Sequence, residues 1–309
     1  MVKEFQHKNE WALILGGSSG LGLASAKKLA KHGMNICVIH RNSRAQKEEI
    51  QEKNRAIFSS ISYALTIQQA ILPRHEAIHD RVKDFFILYQ PRDIVSGDFY
   101  WFYDLDEKHE GQFLIAAIDC TGHGIPGAFM SMIAYNLLNR IVEEGVIEPN
   151  KILEKLHVYI KDALRQDENE NKDGMDLVLF HVDTLQKKFK YSGAKNPLLY
   201  IQNGELIKVR GTRHAIGGSH QHDKVLFDQV EVSFEQPLSL FMYSDGYQDQ
   251  FGGEKQKKKF LSKRFEQLLF EIGDYSCEEQ QSILEKEMQD WKGNAEQIDD
   301  ILVMGMKLS

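Results

Sequence analysis

The spacing of apolar and polar positions divides the chain into three segments of different character. Residues 11–15 are a short apolar run, residues 16–22 are glycine-rich, and residues 23–32 are rich in Ala, Lys and Leu. Gly33 supplies a helix stop, and residues 35–39 are apolar again. That order predicts strand, glycine turn, helix and strand, which is one βαβ unit. From Gln46 to Leu72 no Gly or Pro occurs, and Ile50, Ile57, Ala64 and Ile71 recur every seven residues. Asn54, Ile61 and Gln68 fall between them at the other seam position. The spacing predicts one long helix, ended by Pro73. Two readings of it stand: a short, weak coiled coil with two polar seam residues, or an amphipathic helix packed on its own domain.

Beyond residue 80 the pattern changes again. β-rich runs with turn residues at their ends predict strands over 84–90, 113–119, 177–182, 189–192, 198–202 and 238–243. Helical patterns occupy 128–144, 149–165, 259–272 and 277–291. Runs of strands with helices inserted between them predict an α+β sandwich rather than a parallel βαβ array. Domain bounds follow at 1–45, 46–73 and 74–309. The basic run from Lys255 to Lys259 reads as a solvated loop before a helix.

Composition narrows the function classes. The chain has 309 residues, 42% hydrophobic and 27% charged, with a net charge of −7. An acidic balance argues against non-specific nucleic-acid binding, which needs a basic footprint. No apolar run approaches the ~20 residues of a spanning helix, so no membrane role is expected. The first eight residues are polar and carry no signal-peptide core. The cysteines, Cys37, Cys120 and Cys277, form no C-x-x-C pair. A disulfide framework or structural zinc is therefore not expected, and a reducing cytoplasm is the default compartment.

Candidate chemistry sits where aspartates follow apolar strands beside glycine: Asp98, Asp119, Asp245 and the pair Asp299–Asp300. A charge there is costly unless something compensates it. One such Asp-Gly pair is simply a turn. Four at the ends of β-rich runs point to a shared site for a hard, oxygen-ligated cation such as Mg²⁺ or Mn²⁺.

These residues carry a resemblance. The stretch 84–101, containing Arg92, Asp93, Ser96, Gly97 and Asp98, resembles the opening of the metal-dependent protein phosphatases (the PPM family) in their SpoIIE-type branch. Residues 117–128 resemble the second motif of that family, and 241–249 and 297–301 its last two. Residues 67–73 resemble the helix leading into the domain, so the resemblance spans about 55–308. It implies an αββα two-sheet sandwich with two Mn²⁺ or Mg²⁺ ions at one end. It implies that Asp119 bridges both ions, the Cys120 carbonyl is a further ligand, Asp245 and Asp299 hold one ion, and Asp98 the other. The implied activity is hydrolysis of phosphoserine or phosphothreonine on a signalling protein by a water bridging the ions. The implied substrate is a phosphorylated antagonist of an anti-sigma factor, and the leading helix would couple an upstream input, with a homodimer through 46–73. His123 is a candidate general acid or a support of its loop. Lys195 faces the phosphate or is an ordinary surface lysine. Asp176 enters a strand close to the metals. A third-metal aspartate of some members falls at Ala194, where no carboxylate stands. The rival readings are a catalytically silent module of the same fold and a dinucleotide-dependent reductase.

Residues 15–22 resemble the cofactor turn of short-chain dehydrogenases. That resemblance stops near Arg44, and no Tyr-x-x-x-Lys catalytic pair follows. About 35 residues do not build a cofactor crevice. The segment is read as a truncated βαβ fragment joined to a phosphatase, with an NAD-binding regulatory module as the alternative.

Overall fold

The computed structural model describes residues 11–16, 20–39, 44–105, 109–218, 225–253 and 257–309. The glycine turn is described only at its two ends, and the basic run only from Lys257 onward. The described chain divides into two compact units, residues 1–60 and 61–309.

In the first unit β1 (Trp11–Leu15) and β2 (Asn35–Ile39) pair in parallel around α1 (Gly20–Lys31). Gly33 at φ 84° lets Met34 N–H reach the Leu29 carbonyl and Gly33 N–H the Ala30 carbonyl, a Schellman stop as expected. Trp11, Leu13 and Leu15 alternate onto one exposed sheet face. The long helix α2 spans Arg44–Ile71. Ile50 and Ile57, seven residues apart, are both exposed.

The second unit continues with α3 (His75–Arg81), β3 (Phe85–Gln90), β4 (Phe99–Asp104), β5 (Gln112–Cys120), α4 (Gly124–Glu143) and α5 (Pro149–Ala163). Then come β6 (Gly174–Asp183), β7 (Lys188–Ala194), β8 (Leu198–Gln202), β9 (Glu205–Val209), β10 (Ile216–Gly217), β11 (Val230–Ser233) and β12 (Leu238–Tyr243). The chain ends with α6 (Gly246–Asp249), β13 (Phe251–Gly252), β14 (Lys258–Lys259), α7 (Ser262–Glu271), α8 (Cys277–Lys292) and β15 (Ile301–Leu308). One sheet has the order β11-β7-β6-β5-β4, with β10 added to β6, and the other β3-β15-β12-β8-β9.

Period-two alternation sorts the side chains into layers. Phe113, Ile115, Ala117, Val178 and Phe180 meet Leu240, Met242, Leu302 and Met304 between the sheets. The alternate residues Leu114, Ala116, Ile118, Leu177 and Leu179 face Ala134, Leu138, Ile152 and Leu156 of α4 and α5. Phe86, Leu88, Phe241 and Val303 face Phe265, Leu269, Leu284 and Met288 of α7 and α8. The architecture is the expected αββα sandwich. The six predicted strands and the helices exist, with ends shifted by a few residues. Four longer strands were not predicted: β4, β9, β11 and β15. Pairing stabilises each of them, β15 between β3 and β12 for instance, and pairing leaves little trace in single-sequence pattern.

Candidate active site

Strand ends bring the aspartates together. Asp98 precedes β4, whose Phe99 pairs with Ile118 of β5, so Asp98 enters beside Asp119 near the end of β5. Asp119 lies directly opposite Asp176 of β6. In the other sheet Tyr243 of β12 pairs with Val303 of β15. Ser244 then accepts from Leu302 N–H through Oγ, and its own N–H donates to the Leu302 carbonyl. This brings Asp245 and Asp299, far apart in sequence, within range of each other's charge.

Backbone contact without side chains makes the junction tight. A Cβ on Gly97 would strike the Gly122 carbonyl, and one on Gly127 would strike the same oxygen and come within 2.7 Å of Gly97 Cα. The Cys120 carbonyl lies against Gly97, 3.2 Å from where its Cβ would stand. A Cβ on Gly246 would strike the Asp300 carbonyl. The glycines of these motifs are thus required by close approach.

The electrostatics are those of crowded carboxylates. Asp98 is 3% exposed, and its Oδ2 has no hydrogen-bond partner among the described residues. Burial first, then the Asp119 charge, hold its carboxyl well above the usual range. Asp119 is pushed up by burial, then by Asp245, Asp176 and Asp299. Asp245 is pushed up to about 6 by partial desolvation and then by Asp299, although its side chain remains open to solvent. Asp299 is raised by burial and opposed by His123 and Arg92. Burial also pushes the Cys120 thiol up, so that sulfur is inert and only its carbonyl is available.

The donor set suits a hard cation by charge and atom type. Among the described residues no group of three or more His, Cys, Asp or Glu side chains is placed to hold a metal ion. Mg²⁺ keeps several waters and is usually bound through one or two carboxylates, so a site of this kind does not need three such side chains at one ion. The buried, unpartnered Asp98 Oδ2 is the observation that fits a cation here.

Three supporting residues escaped sequence reasoning. Asp300 is buried and accepts from Arg92 N–H and Gly97 N–H, each at 2.7 Å, so it anchors the Asp98 loop. Adjacent residues entering a strand point oppositely, and that alternation was a usable signal for separating Asp300 from Asp299. Asp93 Oδ2 lies 2.7 Å from His123 Nδ1. Gln68 corrects the coiled-coil expectation at its own position. It is buried, donates to the Ser96 carbonyl (2.7 Å) and Ser131 Oγ (3.0 Å), and accepts from Ser96 N–H. It braces the Asp98 loop rather than setting a seam register.

The sequence pattern described as stage II sporulation protein E (SpoIIE) matches residues 109–309. The chain belongs to the SpoIIE family. The SiaA-PP2C domain of Pseudomonas aeruginosa has this fold, with a TM-score of 0.74 and 30% identity, covering 83% of this chain and 99% of that one. Phosphoserine phosphatase RsbP of Bacillus subtilis (strain 168) is 25% identical over 165 residues, 52% of this chain and 38% of RsbP. A short chain dehydrogenase pattern matches residues 10–90. The 3-oxoacyl-[acyl-carrier-protein] reductase FabG of Chlamydia muridarum (strain MoPn / Nigg) is 30% identical over 90 residues, 29% of this chain and 35% of the reductase. The chain spans little more than a third of the length of either curated relative. The dehydrogenase likeness therefore runs past Arg44, where the motifs alone placed its end, to residue 90. Its last strand, β3, nevertheless pairs antiparallel with β15 in the SpoIIE-family sheet. No helix among the described residues is long and apolar enough to cross a membrane.

Proposed function

We propose that the chain is a metal-dependent phosphoserine/phosphothreonine protein phosphatase acting on a signalling protein. The observation that carries this reading is the buried Asp98 carboxylate, with an unpartnered oxygen, beside Asp119 in a family of phosphatases. Asp98, Asp119, Asp245, Asp299 and the Cys120 carbonyl would hold two Mn²⁺ or Mg²⁺ ions. When bound, the ions supply charge neutralisation for the phosphoryl oxygens and acidify the attacking water.

The chain's own residues do the rest. Gln68 holds the Ser96 backbone and Asp300 the Gly97 N–H, so the Asp98 carboxylate that follows is presented at a fixed depth. The Asp93 carboxylate only accepts, which keeps a proton on His123 Nδ1 and orients the ring; with Nε2 protonated as well, His123 would give that second proton to the departing seryl oxygen and return to the neutral ring. Gly122 and Gly124 hold the loop in positive φ, at 85° and 62°, and open α4.

The name of phosphoserine phosphatase RsbP supports phosphoserine as the substrate class, and the family resemblance is what points to an antagonist of an anti-sigma factor as the phosphoprotein. Exposed Ile50 and Ile57 support a homodimer through α2. Residues 1–45, 46–73 and 74–309 serve as the fragment, the helical linker and the phosphatase domain. The test is hydrolysis of a phosphoserine peptide by the full chain with added Mn²⁺ or Mg²⁺, against EDTA. Activity that survives EDTA undiminished, or none with either ion, rejects the reading.

A further inference from the structure

We propose that Lys195 grips the phosphate of the substrate from the β7 edge of the site. This rests on the phosphatase reading and adds to it a residue that binds the transferred group.

Lys195 Nζ lies 3.0 Å from Asp176 Oδ1 and 3.2 Å from Oδ2. Asp176 stands directly across the β5–β6 ladder from Asp119, so the ammonium is placed at the margin of the carboxylate cluster. Its side chain is 51% exposed and open to an incoming ligand. The ammonium is the more exposed partner, 51% against 27% for Asp176, so it can turn to a phosphate oxygen while staying beside that carboxylate.

The backbone beneath it is held firmly. Lys195 has φ 57°, left-handed for a residue with a side chain, and such positions concentrate at functional sites. Its N–H donates to the Thr212 carbonyl (2.7 Å), and Asn196 N–H donates to the Ala194 carbonyl (2.7 Å). Tyr191 Oη donates to the Asn196 carbonyl (2.6 Å), and Asn196 Nδ2 reaches the Tyr243 carbonyl. A rigid turn carrying one long cationic side chain is a suitable mount for a mobile ligand group.

Charge balance gives the mount its use. Asp98, Asp119, Asp176, Asp245 and Asp299 together outweigh two divalent ions. A phosphate monoester brings about −1.5 to −2 more. Arg92 and His123 act on Asp299 at one margin. Lys195 supplies positive charge at the Asp176 margin, as a point charge of the kind that suits phosphate.

The experiment compares the full chain with Lys195→Asn, which removes the charge in a residue type that tolerates positive φ, and with Lys195→Arg, which keeps it. Orthophosphate binding to the Mg²⁺-loaded protein is measured by calorimetry, alongside Mg²⁺ affinity, and KM and kcat on a phosphoserine peptide. Lys195→Asn should weaken orthophosphate and raise KM by about tenfold, the loss of one charge-assisted hydrogen bond. It should leave kcat within about threefold. Lys195→Arg should recover most of the affinity, and Mg²⁺ affinity should not change. Unchanged orthophosphate affinity in Lys195→Asn overturns the proposal. So does tighter Mg²⁺ binding with phosphate binding unaltered, which would make Lys195 only the counter-ion of Asp176. A wild-type protein that binds orthophosphate but hydrolyses no peptide defeats the phosphatase reading while the calorimetry still decides on Lys195.

Discussion

Replacing Asp98 with Asn should move stability in opposite directions with and without metal. Asp98 is 3% exposed, beside Asp119, with one oxygen lacking a partner. Leaving a buried polar group unsatisfied costs about 1–3 kcal/mol, and more when it is charged. The folded pKa is raised, so the proton is bound more tightly in the folded than in the unfolded chain. The associated stability is complete below the unfolded carboxylate range, near pH ~4, and is lost as pH rises through the folded value. In EDTA at pH 8 the wild type therefore carries the penalty, and Asp98→Asn, nearly isosteric, relieves it. A gain of about 1–3 kcal/mol raises the Tm of the main transition by roughly 3–10 °C. With Mn²⁺ the sign reverses. A ligand at a hundred times its Kd stabilises the wild type by about 2.7 kcal/mol, and the variant forfeits much of that increment. Differential scanning fluorimetry from pH 5.5 to 8, in EDTA and in Mn²⁺, reads both effects. The metal-free wild type should lose stability as pH rises, and the variant less. A variant no more stable than wild type in EDTA, with its Mn²⁺ increment intact, would refute both the buried-charge argument and the assignment of Asp98 to the metals.

Asp119→Asn, at the centre of the cluster, should reduce hydrolysis of p-nitrophenyl phosphate by about 10²-fold or more, and near-normal turnover would remove Asp119 from the metal set. Gln68→Leu leaves the Ser96 backbone groups and Ser131 Oγ without three of their bonds. It should cost about 2–3 kcal/mol in urea unfolding and raise the Mn²⁺ needed for half-maximal activity; an unchanged midpoint contradicts the bracing role. Deletion of residues 1–44 should leave turnover within about threefold, and NAD(H) should bind no better than about millimolar, because one pyrophosphate contact does not make a crevice. Micromolar binding in calorimetry, or a folded but inactive deletion, favours a regulatory module instead.

Much of the architecture was legible from local pattern. The strands through residues 113–119 and 238–243, the long helix to Leu72 and the stop at Gly33 follow from side-chain period and from glycine's access to positive φ, and such signals are local. The motifs around Asp98, Asp119, Asp245 and Asp299 were equally visible, since an aspartate at the boundary of an apolar run is a local feature too. What only the tertiary structure decided is which polar groups meet. Strand register places Asp176 across from Asp119. It also turns Asp300 into a backbone anchor beside Asp299. The heptad count put Gln68 on a seam, but its amide is spent on Ser96 and Ser131, more than 25 residues away along the chain. Periodicity reports which face of an element is buried and not what it is buried against. Hydrogen-bond partners far apart in sequence are chosen by packing, and that choice becomes visible only when the sheets are assembled.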